Sequence, residues 1–156
     1  MIPRVRGMFW VAIQILLLLA WFLLLMLDRP LDTGDAPRYL LEGAGTVLAV
    51  AGLALAIAGV HDLGANLTPS PEPRRSGSIV ASGIYRRARH PIYGGIMLMV
   101  VGITLIVLTP LGLLFLPAIF TFFYSKSNYE ERRLRERFPN YEDYAASAKR
   151  FIPFIW

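Results

Sequence analysis

The sequence predicts an all-α integral membrane protein with about four transmembrane helices, a C-terminal helical hairpin and a cytoplasmic C-terminal helix. Three observations carry this prediction. The apolar residues, 55% of the chain, come in long uninterrupted blocks, and mean hydropathy is +0.49. Proline and glycine fall between the blocks and break them into helix-length pieces. Of the 16 Lys and Arg, all but Arg29 and Arg38 fall in segments that four spans would place on one side of a bilayer.

The 156 residues are one domain's worth of chain, residues 1–156. The absence of cysteine excludes disulfides, thiolate metal sites and a cysteine nucleophile. Two histidines, His61 and His90, are too few for a His-rich metal centre, so no metal is expected. In so apolar a chain, the net charge of +5 points to an anionic membrane leaflet rather than to nucleic acid.

The first span is Met8 to Leu27. Twenty helical residues cover about 30 Å, the thickness of a bilayer core. Arg4 and Arg6 precede it, as in a signal peptide, but the run is long for one and DRPLDTG after it offers no small-x-small cleavage site. The segment is therefore read as a retained span. Gln14 is its strongly polar interior residue; a helix-to-helix hydrogen bond is its ordinary role and lining a cavity the other. Asp28 to Glu42 reads as a loop broken by Pro30, Gly34 and Pro37.

Gly43 to Val60 forms the second span. Gly45, Ala49, Gly52, Ala56 and Gly59 recur at steps of three or four, a small-residue stripe on which another helix can pack closely. His61 to Pro91 is a polar connection whose Pro69, Pro71 and Pro73 predict extended backbone. Ile92 to Thr109 and Leu111 to about Ser127 are the third and fourth spans, separated by Pro110, with Pro117 inside the fourth. The positive-inside rule then puts both termini and the 61–91 connection in the cytoplasm. An odd number of spans would split the basic segments.

In the tail, Glu130, Leu134, Arg137, Phe138, Tyr141 and Tyr144 fall roughly along one helical face. Glu131 and Arg135 make an i, i+4 pair of the kind that supports an exposed helix. The closing FIPFIW carries interface-seeking aromatics.

The densest chemistry lies in residues 79–95, IVASGIYRRARHPIYGG. A cytoplasm-facing pocket built from this segment and the tail would present His90, Tyr85, Tyr93, Glu130 and Glu131 among arginines. Each has a plain structural role as well. Boundary arginines set topology, tyrosines at that depth anchor interfaces, and His90 before Pro91 occupies a helix N-cap position.

As a set, these residues resemble a known signature. SGIYRRARHPIYGG is similar to the SG-x-Y-R-x-x-R-HP-x-Y-x-G pattern of the isoprenylcysteine carboxyl methyltransferase and phospholipid methyltransferase superfamily. EERRLRERFPNYEDYAASAKRFIP is similar to that superfamily's E-E-x-x-L-x-x-x-F-G-x-x-Y-x-x-Y ending in R-x-I-P. NLTPSPEPRRSGSIV resembles the stretch preceding the signature in its short bacterial members. The resemblance covers residues 66–153, with Pro139 where the family has Gly and Ile84 where Pro is common.

The resemblance implies a multi-pass methyltransferase of a bacterial-type cytoplasmic membrane. It would use S-adenosylmethionine, release S-adenosylhomocysteine, and hold the cofactor in segments 79–95 and 128–153. Carried over by position, it nominates Tyr85, His90, Pro91, Tyr93, Gly94, Glu130 and Glu131 for the cofactor, with Arg89 or Arg133 the candidates to clamp its carboxylate and Glu130 or His90 as a base if one is needed. Carboxylates suit ribose hydroxyls and the cofactor ammonium, aromatic faces suit adenine and sulfonium, and an arginine can clamp a carboxylate. The acceptor would be lipophilic or membrane-presented: a prenylated carboxylate, a phospholipid amine or a small thiol. The competing readings are an NADPH-dependent membrane reductase of related fold and a non-catalytic membrane subunit.

Overall fold

The computed structural model describes residues 2–68 and 79–155, with side chains described from Gly7 onward. The expected extended run around Pro69, Pro71 and Pro73 lies outside the described residues, as do the side chains of Arg4 and Arg6. Among the described residues the chain is all-helical: α1 (Ile2–Leu27), α2 (Asp35–Leu63), α3 (Pro91–Val107), α4 (Pro110–Arg137) and α5 (Tyr141–Ser147). Short 3-10 turns sit at Gly64–Asn66 and Gly83–Arg86. The segments Gly7–Leu27, Asp35–Asn66 and Pro110–Arg137 are each long and apolar enough to cross a membrane. The fourth apolar helix, α3, has 17 residues, about 26 Å at 1.5 Å per residue and slightly short of a bilayer core.

Two boundaries differ from expectation, each for a local reason. Helix α2 begins at Asp35, so the loop before it spans only residues 28–34. Pro37 sits in the first helical turn, where its missing N–H has no intrahelical partner to lose, and Asp35 places an acid at the helix start. The tail is not one helix either. Phe138 is extended (φ −119°, ψ 107°) because Pro139 follows it, and α4 stops there. Leu134, Phe138, Tyr141 and Tyr144 still line one cavity, but across a turn.

The two-residue link between α3 and α4 is tightly specified. Leu108 takes a left-handed conformation (φ 54°) and donates its N–H to the Thr104 carbonyl at 2.7 Å. Thr109 accepts from the Gly112 N–H at 3.1 Å and Pro110 opens α4. The Leu108 carbonyl also accepts from Leu31, tying the preceding loop to this hairpin.

Helices α2 and α3 run antiparallel in near backbone contact. A methyl group on Gly45 would meet the Gly102 carbonyl at 2.6 Å, one on Gly52 the Gly95 carbonyl at 2.5 Å, and one on Gly59 the Ile92 side chain at 2.7 Å. The small-residue stripe of α2 thus faces a matching glycine row on α3, the close-packing mode of membrane helices. The apolar core gathers Trp21 and Leu25 of α1, Met97 and Val100 of α3, and Ile119 and Phe123 of α4, with Phe151 from the tail. Trp21 Nε1 donates to Thr104 Oγ1 at 3.0 Å, giving the buried indole its partner. The outward faces stay apolar: Leu16, Phe22, Val47, Leu53 and Leu114 are exposed. That is the surface a lipid environment requires.

Candidate functional site

At the end of the bundle where the 61–91 connection meets the tail lies a cavity of about 400 Å³. Small-molecule pockets run from about 300 to 1,000 Å³. Its polar wall is built from two segments. The first is the turn leading into α3. Asp62, near the end of α2, accepts the Ile84 N–H at 2.7 Å. Gly83 adopts φ +57°, a conformation that favours glycine, and a β-carbon there would displace the Asp62 carboxylate from its bond to Ile84. This turn delivers Tyr85, Arg89 and His90 to the cavity. The second segment is the polar end of α4, which contributes Lys126, Glu130 and Leu134 along one face.

The tail fastens the two together through its backbone. Lys149 donates to the Arg87 carbonyl at 3.0 Å, Arg89 to the Lys149 carbonyl at 2.8 Å, and His90 to the Arg150 carbonyl at 2.8 Å. These bonds form a short parallel bridge centred on Ala88 and Lys149. Gly94, one turn into α3, lies directly under the Phe151 carbonyl. Tyr144 Oη donates to the Tyr85 carbonyl at 2.7 Å. The Arg89 guanidinium reaches the carbonyls of Ala145 and Ala148.

Within the wall, Tyr93 Oη donates to Glu130 Oε2 at 2.9 Å. The His90 ring stacks on Tyr93, 5.4 Å between centroids and 2° from parallel. Its side chain makes no N-cap hydrogen bond; instead Nε2 lies 3.2 Å from Glu131 Oε1, and Nδ1 3.6 Å from Glu130 Oε2. Lys126 Nζ sits 5.1 Å from the Tyr93 ring centroid and donates to Gln14 Oε1. Gln14 therefore makes a helix-to-helix hydrogen bond and lines the cavity as well. Burial pushes the Tyr85, Tyr141 and Tyr144 phenols well above the usual tyrosine range. At neutral pH they are neutral hydrogen-bond donors.

Of the residues nominated from sequence, Tyr85, Arg89, His90, Tyr93 and Glu130 line the cavity. Pro91, Gly94, Glu131 and Arg133 are not among its lining residues. Pro91 packs near Gly59 of α2 and Gly94 under the tail. Arg133 pairs with Glu136 at 3.0 Å and covers the Tyr129 ring. Glu131 corrects the expectation of an exposed i, i+4 pair: Arg135 does reach it at 3.4 Å, but Glu131 itself is fully buried. The lining residues Lys126, Tyr141 and Tyr144 were not nominated from sequence. The available signal was a lysine closing an apolar run, four residues before Glu130 and so on the same helical face.

These features define an all-helical membrane protein with an acid- and tyrosine-lined cavity at one end of its helices. Residues 41–141 match the phospholipid methyltransferase family, and the chain belongs to that family. The match runs from α2 to the first residue of α5, so it includes the whole His90–Tyr93–Glu130 wall. The chain is also similar to two rice proteins, one from Oryza sativa subsp. indica and one from subsp. japonica, each described as a probable protein-S-isoprenylcysteine O-methyltransferase. Identity to each is 35% over 79 residues, 49% of this chain and 41% of the rice protein. The matched region thus spans less than half the length of these relatives.

Proposed function

We propose that the protein is an S-adenosylmethionine-dependent methyltransferase acting at the cytoplasmic membrane face on a lipophilic or membrane-presented acceptor. One observation carries the reading: the His-Pro-x-Tyr turn and Glu130 meet on a single cavity wall in a chain of the phospholipid methyltransferase family. When bound, the cofactor supplies an electrophilic methyl group on a sulfonium.

The residues present suit such a ligand. Glu130, held by Tyr93, offers a carboxylate to hydroxyls or an ammonium and places negative charge near a cationic sulfur. The rings of Tyr85, Tyr141 and Tyr144 line the cavity as aromatic surface for a heteroaromatic base or a cation, while Tyr93 is already stacked on His90 and covered by Lys126. Arg89 lines the same wall with its Nε and one terminal nitrogen already committed to Glu131 and the tail, so it serves chiefly to hold the tail in place. Val60, Leu63 and Leu67 near the end of α2, with Ile92 and Ile96 of α3, give the cavity an apolar side fitted to a lipid-like acceptor. A direct displacement asks the protein mainly to hold the acceptor in line, within about 3–3.5 Å of the methyl group.

Calorimetry on the purified full chain should register binding of S-adenosylhomocysteine. Glu130→Gln and His90→Ala should each weaken it by about tenfold, a loss of roughly 1.4 kcal/mol. Binding of NADPH in place of S-adenosylhomocysteine would refute the reading in favour of a reductase, and binding of neither would favour a non-catalytic subunit. The orientation has a separate check, because the chain has no native cysteine. A single cysteine at Arg87 should react with a membrane-impermeant maleimide only from the cytoplasmic side. Labelling of intact cells from outside would invert the topology.

A further inference from the structure

The adjacent carboxylates of Glu130 and Glu131 point to different jobs. The Glu130 side chain is 27% exposed and lines the cavity, whereas that of Glu131 is 1% exposed and is not among the lining residues. Around Glu131 converge four basic groups from three parts of the chain. Arg89 Nε lies at 2.9 Å and His90 Nε2 at 3.2 Å from Oε1; Arg135 lies at 3.4 Å and Arg150 at 3.5 Å from Oε2. Arg89 and His90 belong to the turn before α3, Arg135 to α4 itself, and Arg150 to the tail. Arg150 also bonds Asn128 and covers the Tyr124 ring at 4.7 Å.

We propose that Glu131 is a positioning residue that touches no ligand. It fixes the His90 ring and locks the tail to α4, so that Glu130 and Tyr93 meet the ligand in one geometry. The naming of that ligand rests on the function proposed above. The 3.2 Å contact lets His90 Nε2 donate to Glu131, while 3.6 Å leaves Nδ1 outside hydrogen-bond reach of Glu130. Glu131 therefore holds the imidazole with its proton on Nε2 and its other nitrogen turned toward Glu130. An outer carboxylate plays the same part for histidines at metal sites, where losing it costs about 10- to 100-fold in affinity. The sequence motif presents two like carboxylates; helical geometry separates them, since neighbouring residues on an α-helix point about 100° apart.

The test uses the full chain in detergent, labelled with [15N]histidine. His90 and the exposed His61 are its only two imidazoles, which makes assignment simple. Three readouts are compared: the His90 Nε2 resonance, trypsin cleavage after Lys149, and S-adenosylhomocysteine affinity. In the wild type, Nε2 should carry the proton and Lys149 should resist trypsin. Glu131→Gln should shift the Nε2 resonance, open Lys149 to cleavage and weaken affinity by about tenfold. Glu130→Gln should weaken affinity with the Nε2 resonance and the tail as in the wild type. Arg150→Met, which leaves both carboxylates in place, should move the first two readouts in the same direction as Glu131→Gln and supplies the answer should that variant not fold. Loss of affinity in Glu131→Gln with Nε2 and Lys149 unchanged would make Glu131 a ligand contact and overturn the proposal. A proton on Nδ1 in the wild type would overturn it too, as would Arg150→Met leaving resonance and tail untouched. If the wild type binds no S-adenosylhomocysteine, the methyltransferase reading fails, while the resonance and cleavage readouts still decide the role of Glu131.

Discussion

Glu131→Ala is expected to destabilise the protein by about 3–5 kcal/mol, the cost of breaking a buried ion pair by removing one partner. The substitution takes the carboxylate away from Arg89 and Arg150, while Arg135 keeps Glu142 at 2.6 Å. Arg89, with a side chain only 12% exposed, cannot turn to water for compensation. Its other partners are the carbonyls of Ala145 and Ala148, which do not neutralise charge. Thermal unfolding in detergent should show a midpoint lowered by roughly 10 °C. Glu130→Ala, on the open cavity wall, should shift it by no more than a few degrees. Equal shifts for the two variants would mean that the cluster contributes no more than the wall does.

Gly94→Ala should detach the tail. A β-carbon at this position runs into the Phe151 carbonyl, and the obstacle is backbone rather than a side chain that can swing aside. Overpacking of this kind costs about 1–3 kcal/mol. The bonds first in line to break are the pairings of Arg89 and His90 with Lys149 and Arg150. Limited trypsin digestion should then cleave after Lys149, and S-adenosylhomocysteine affinity should fall by about tenfold or more. Gly43→Ala is the matched control, because nothing lies within 4 Å of a β-carbon there. It should behave as wild type in both assays. Unchanged protection of Lys149 in Gly94→Ala would show that the tail is held elsewhere.

The helices were readable because their signals are local. Apolar run length, Pro110 at a helix start and the stripe from Gly45 to Gly59 each depend on a few neighbouring residues. The start of α2 was misplaced because Pro37 reads as a breaker, while its effect depends on whether it falls in the first turn or later. The candidate cavity wall was half legible. His90, Tyr93 and Glu130 could be named from the resemblance, yet periodicity did not say that Glu131 faces inward. That orientation depends on Arg89, Arg135 and Arg150 arriving from three separate places. Lys126, the partner of Gln14, was harder still. Their pairing joins residues 112 positions apart, and each alone looks like an ordinary feature of a membrane helix.

The backbone pairing of residues 87–90 with 149–150 has a consequence for biosynthesis. Each apolar helix, α1 to α4, is a contiguous stretch of chain, and the last of them ends at Arg137. The cavity wall is not assembled until Lys149 to Phe151 have been synthesised and have folded back over the first turn of α3. A message truncated just upstream of Lys149 would encode all four apolar helices and lack the partner strand of residues 87–90.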